Sequence, residues 1–229
     1  MEVGKNGGAV FVLVYVLAVI LIGFTVMLAE LALGRHTLKN PVGAFKKIKP
    51  HSPWKFIGYL GLLTAVFILS YYAVVAGWTL GYLYKTAAGA FKGDVTSQFT
   101  EKVFTEFTSS PFLVLLCLFL VLGITIFIVS KGVKKGIERW TKVLMPILFV
   151  LIIFLAAKAL ALPGAGEGLS FYLKPDFSKL NGTVILFALG QAFFSLSLGM
   201  GIMITYGSYI NKSQNLASSA GWVCFSDSL

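Results

Sequence analysis

The chain has 229 residues, 57% of them hydrophobic and 12% charged, which is roughly half the charged share of a soluble domain. This is the composition of an integral membrane protein. The net charge of +10 does not point to nucleic acid, because the basic residues gather in two loops between apolar runs, where lipid headgroups and the positive-inside rule account for them. Cys117 and Cys224 lie in apolar runs and form no CxxC pair. No nucleophile–base constellation, metal-ligand spacing or phosphate loop appears, which argues against an enzyme.

A span needs about 20 apolar residues. In chain order, the apolar runs predict spans over 9–33, 56–84, 111–129, 143–162 and 183–210, with a sixth begun at 217–229. Ser109 and Ser110 are capping candidates for the third, and Pro111 suits its first turn. The loop 35–55 carries Arg35, Lys39, Lys46, Lys47, Lys49 and Lys55 and no acid. The loop 131–142 carries five bases and one acid, Glu138. Two spans separate these loops, so both lie on one side, which positive-inside makes the cytoplasm. The segments 85–110 and 163–180 then lie outside, the first with a short surface helix over 94–107.

By the same count the first span enters from outside, so residues 1–8 lie outside with no signal peptide ahead of them. The expectation is that a span precedes this chain and that it is a fragment, since its other end stops inside an apolar run.

The fifth span holds the most informative stretch, GQAFFSLSLGMG at 190–201. Its glycines weaken a helix, and Ser195 and Ser197 offer the backbone other partners. Irregular backbone at that depth survives only when buried in protein or lining a cavity. The stretch therefore predicts two half-helices meeting at a polar break, whose ends suit a carboxylate and a cation.

Six stretches together resemble one family, the neurotransmitter:sodium symporters, and in particular its bacterial amino-acid transporters. They are NGGAVF at 6–11, LAELALGR at 28–35, YYAVVAGW at 71–78, GVKKGIER at 132–139, PDFSK at 175–179 and the 190–201 stretch. The resemblance runs along nearly the whole chain, in family order. It implies an all-α polytopic fold, part of an inverted repeat, in which the five complete spans match the family's second to sixth and the incomplete one its seventh. The first and eighth spans, which supply much of the ion and substrate sites, have no counterpart here.

The resemblance also implies roles. Tyr72 bonds the substrate carboxylate, and Ile68 walls the side-chain pocket. Phe194 closes over the substrate, Ser197 holds the unwound turn and the substrate amine, and Met200 borders the pocket. Ser195 and Asp227 are ligands of a sodium ion. Glu30 and Gln191 support the broken span, and Tyr206 and Tyr209 belong to an inner gate. Tyr15, Gln191 and Ser195 match positions that contact chloride in chloride-dependent members, but the deciding position lies beyond Leu229, so chloride use stays open.

Read from the residues alone, each also has a plainer role. Tyr72 suits packing, the serines backbone bonding, Asp227 a helix start, Glu30 an interfacial acid near Arg35, and the two later tyrosines an interface. Leu196, Leu198 and Met200, with Ile68, form a bulky apolar set that favours a hydrophobic or aromatic amino acid. The function expected is sodium-coupled import of such an amino acid across the plasma membrane by alternating access. The alternative is a non-transporting membrane subunit or scaffold from a split gene. Cysteines placed at 46, 102 and 134 of the full-length protein test the topology: an impermeant reagent applied to intact cells should label only 102, and labelling of 46 without 102 reverses the assignment.

Overall fold

The computed structural model describes residues 2–91 and 96–228. The described residues contain helices and turns and no strand, the all-α class expected. Helix α1 (Glu2–Lys5) is followed by α2 (Ala9–Ala18), which passes through a π-helical turn at Val19–Gly23 into α3 (Phe24–Thr37). These three form one apolar rod, Ala9–Thr37. Leu38 adopts the left-handed conformation and returns its N–H to Gly34, ending α3. Asn40 then caps α4 (Pro41–Ile48), its Oδ1 accepting from the Gly43 N–H at 2.7 Å, with Pro41 at the first helical position. Sequence reading gave no helix here, because lysines and prolines dominate the stretch.

Helix α5 (Lys55–Ala87) is 33 residues long, about 50 Å at the α-helical rise. Helix α6 (Ser97–Thr108) is the expected surface helix; its expected start at residues 94–95 lies outside the described residues. Helix α7 (Pro111–Ser130), a second π turn (Val133–Glu138) and α8 (Arg139–Leu160) follow. Then come α9 (Ala165–Leu173), a 3-10 turn (Phe177–Lys179), α10 (Gly182–Ser195), α11 (Ile202–Gly207) and α12 (Leu216–Asp227). Asn181 and Asn215 cap α10 and α12 through their side-chain oxygens. Among the described residues, four helical stretches are long and apolar enough to cross a membrane: Ala9–Thr37, Lys55–Ala87, Pro111–Ser130 and Lys135–Leu160.

The chain divides into two compact units, residues 1–65 with 159–229, and residues 66–158. In the first, α10 lies along α2, and α11 lies along α3. Val10 and Phe11 meet Val184 and Ala188; further along, Val19, Met27 and Leu31 share a core with Ala192, Leu196, Ala220 and Cys224. Both rods therefore run in the same direction, as two spans separated by three others must. Close approach is set by glycine. A Cβ on Gly34 would collide with the Ile204 carbonyl, and one on Gly207 with the Leu31 carbonyl. Small residues at such a contact let two backbones meet inside an apolar medium.

In the second unit, aromatic residues fasten α6 to α5. Phe107 is buried, and a Cβ on Gly81 would strike its ring. Trp78 meets Phe104 edge-on at 5.6 Å, and Tyr82 meets Phe107 at 5.9 Å. Helix α8 has no buried residue and is apolar around its circumference, as a lipid-facing or further-packed span is.

The glycine contact between α3 and α11 yields a test. Gly207→Ala forces a methyl against the Leu31 backbone and should destabilise the fold by about 1–3 kcal/mol, read as a lowered melting temperature in detergent. Gly123→Ala, where a Cβ meets nothing within 4 Å, should leave it unchanged; equal shifts for both would remove the close-approach account.

Candidate functional site

The regular helix stops at Ser195 and resumes at Ile202. Three residues of the gap, Ser197 at φ 55°, Gly199 at 77° and Gly201 at 73°, adopt the left-handed conformation. Glycine takes it freely, while Ser197 is a non-glycine exception worth a functional look. Local bonds hold the first half of the turn: Leu196 N–H donates to Ala192, Ser197 N–H to Phe194 and Leu198 N–H to Phe193. The expected break is therefore present.

The next N–H leaves the segment. In a continuous helix Gly199 would donate to the Ser195 carbonyl; here it donates to Glu30 Oε1 on α3 at 2.7 Å. The consequence is twofold. A backbone donor freed by the break is satisfied by a charged acceptor, and the Ser195 carbonyl no longer accepts from Gly199. Glu30 borders a cavity of about 170 Å³ with Pro41, Phe45, Gly199, Gly201 and Ile204. Its other oxygen, Oε2, is buried without a partner among the described residues.

Beside the break, three side chains converge from three helices. The Ser195 hydroxyl lies 2.8 and 2.7 Å from the two carboxylate oxygens of Asp227. The Tyr15 hydroxyl donates to Asp227 Oδ2 at 3.0 Å. A carboxylate and two hydroxyls make an all-oxygen donor set, the kind a hard monovalent cation takes. Asp227 lies at the far end of α12, not at its start, so the helix-start reading of this residue is corrected.

The remaining predicted residues divide by position. Phe194 is partly exposed, and Met200 is half-buried at the break. Gln191 is half-buried on α10, and Tyr206 and Tyr209 are exposed at and beyond the end of α11. Ile68 and Tyr72 lie on α5 within the other compact unit, where the Tyr72 ring meets Tyr71 edge-on at 5.8 Å. Leu196 and Leu198, read as part of the bulky apolar set, are core residues. Both are almost wholly buried in the core with Met27, Leu31 and Cys224, because the left-handed turns around them swing their side chains inward. Two contacts escaped sequence reading. Gly23, in the π turn, sits against Leu196, and Gly61 faces the Met200 carbonyl, its notional Cβ 3.0 Å away. The glycines inside the apolar runs, Gly23 alone in the first and Gly61 among four in the second, were the available signal.

A family model described as the sodium:neurotransmitter symporter family matches residues 2–108 and 96–229. The chain is similar to an uncharacterized sodium-dependent transporter, YhdH, of Bacillus subtilis, at 42% identity over 95% of this chain and 48% of that protein. It is 30% identical to the sodium-dependent serotonin transporter of Drosophila melanogaster over 92% of this chain and 39% of that one. Among solved structures it resembles MhsT in complex with L-phenylalanine, with a TM-score of 0.91 and 45% identity, over 99% of this chain and 51% of that chain. The chain thus spans about two fifths to one half of the length of these relatives.

The bond across the break is open to measurement. Glu30→Ala leaves the Gly199 N–H unsatisfied and should raise hydrogen exchange across 195–203 by about tenfold or more, the exchange equivalent of 1.5–3 kcal/mol. Glu30→Gln keeps an uncharged acceptor and should fall between the two. Exchange in Glu30→Ala equal to that of the unaltered protein would show that Glu30 does not hold the break.

Proposed function

We propose that this chain, which belongs to the sodium:neurotransmitter symporter family, forms part of a multi-pass sodium-coupled symporter that imports a hydrophobic or aromatic amino acid by alternating access. The observation that carries the proposal is the convergence of Ser195, Asp227 and Tyr15 beside the break. In this reading sodium displaces the Ser195 hydroxyl proton from the carboxylate and takes oxygens from both residues. Asp227 brings a negative charge to the ion, and chloride use stays open. Elements beyond this chain complete the site, and the unpartnered Oε2 of Glu30 accepts a donor from one of them.

For the substrate, the proposal assigns Tyr72 to the carboxylate and Ile68 and Met200 to the side-chain pocket. Phe194 closes the outer side, and Ser197 holds the unwound turn at the amine. Gln191 supports the break, and Tyr206 and Tyr209 line the inner gate. The likeness to a protein solved with L-phenylalanine supports an apolar substrate. The proposal puts the loops 35–55 and 131–142 on the cytoplasmic side, on their excess of basic residues. A scaffold without transport has no use for an acid directed at a helix break, which favours the symporter over that alternative.

One experiment tests ion and substrate together: equilibrium binding of labelled L-phenylalanine to the full-length protein, with sodium varied and chloride replaced. Asp227→Ala should shift half-saturating sodium upward by more than tenfold while the protein still folds. Tyr72→Phe, losing one hydroxyl on a desolvated carboxylate, should weaken amino-acid binding by about 1.5–3 kcal/mol, a tenfold change or more. Unchanged sodium dependence in Asp227→Ala rejects the ion site, and unchanged affinity in Tyr72→Phe leaves that ring to packing.

A further inference from the structure

The segment between the first two spans carries a concentration of positive charge that transport does not use. Because Ala9–Thr37 and Lys55–Ala87 both qualify as spans, residues 38–54 lie at one membrane surface. Lys39, Lys46 and Lys49 are exposed and Lys55 is half-exposed. No carboxylate lies in ion-pair range of any of the four among the described residues, whereas Lys102, Lys142 and Lys179 each pair with an acid in their own segment. Apolar side chains stand among them: Leu38, Ile48 and Trp54 are each more than half exposed. Lysines that reach outward around exposed leucine, isoleucine and tryptophan match the depth profile of a lipid interface, with phosphate above and acyl chain below.

The segment is also built rather than loose. Asn40 caps α4, and the Lys47 Nζ donates to the Thr37 carbonyl at 3.1 Å, so that α4 is tied to the end of α3. A Cβ on Gly58 would lie 2.7 Å from the Val42 Cα, so the start of α5 abuts α4 directly. Lys46 and Lys55 are held over the rings of Tyr59 and Phe56, at 5.8 and 5.6 Å from their centroids. On its inner side α4 touches the break: Pro41 blocks any Cβ on Gly201, and Pro41 and Phe45 line the cavity shared with Glu30.

We propose that α4 and its flanking lysines form a binding site for the phosphate headgroup of an anionic phospholipid, with Lys39, Lys46, Lys49 and Lys55 around the phosphate and Ile48 and Trp54 against the glycerol and upper acyl region. Occupancy braces α4 against the interrupted span. The inference rests on the flanking helices being membrane spans and is independent of which solute the protein carries.

Native mass spectrometry of the full-length protein tests it, with phosphatidylglycerol and phosphatidylcholine offered in equal amounts from mixed micelles. The expected result is preferential retention of phosphatidylglycerol, undisturbed by millimolar inorganic phosphate. The fourfold variant K39Q/K46Q/K49Q/K55Q should lose that retention by at least about tenfold, given the contribution each basic residue makes near an anionic surface. The corresponding fourfold arginine variant should keep it. Should the fourfold glutamine variant not fold, K39Q/K49Q, at two exposed positions outside any helix, should still weaken retention by about threefold or more. Equal retention of both lipids, displacement by free phosphate, or unchanged binding in the folded glutamine variants would overturn the site. So would an equal loss when Lys131, Lys135, Arg139 and Lys142 are neutralised instead. Retention of neither lipid would likewise overturn the site.

Discussion

A backbone N–H set free inside an apolar medium has no water to turn to, and the interrupted span of this chain depends on Glu30 taking the one at Gly199. That dependence reaches into the packing. A glutamate side chain is short, so α3 must come close to the break. Gly34 lies one turn beyond Glu30 on the same face of α3, and it is there, opposite Ile204, that the two backbones approach most tightly. The missing side chains at Gly34 and Gly207 are therefore what allow a carboxylate on one rod to reach a peptide on the other.

Position along the second rod is fixed from its other end. Arg35 Nη1 donates to the Gln214 carbonyl at 2.7 Å, in the connection between α11 and α12. Asn215 then caps α12 at once. The helix leaves that point with Leu216, Ala220 and Cys224 turned to the core, a spacing of four that keeps one face inward. Asp227 comes one turn later, at the hydroxyls of Ser195 and Tyr15. Three elements distant in sequence thus meet because α3 holds the broken span on both sides of α11, at the break through Glu30 and beyond α11 through Arg35.

Much of this was legible in the chain. The apolar runs announced the spans, since about 20 apolar residues in succession have few other uses. The clustered glycines and serines announced the break, because each weakens the helix by its own mechanism. What was not legible depends on the direction of side chains after irregular backbone. Leu196 and Leu198 read as part of a bulky apolar set at the break, and beside the left-handed conformations at Ser197 and Gly199 both lie in the core. Asp227 read equally as a helix start, because nothing local reveals that Asn215 begins the helix a full three turns earlier. Helix α4 was hidden by its lysines, whose charge says surface and leaves the backbone conformation unspecified.

The π turn at Val19–Gly23 has a further consequence for how the first rod is patterned. A residue added to an α-helix rotates everything after it by about 100°, and a π turn absorbs such a residue without breaking the helix. The stripe of α2 that meets α10 and the stripe of α3 that meets α11 are consequently out of phase with each other in sequence, although they fall on one line in space. Loss of a single residue between 19 and 23 would close the turn into ordinary α-helix and keep Glu30, Gly34 and Arg35 at their partners, whereas loss of one after it, with the π turn kept, would rotate all three by about 100°. The register of this rod, more than its composition, is where a one-codon deletion would do its damage.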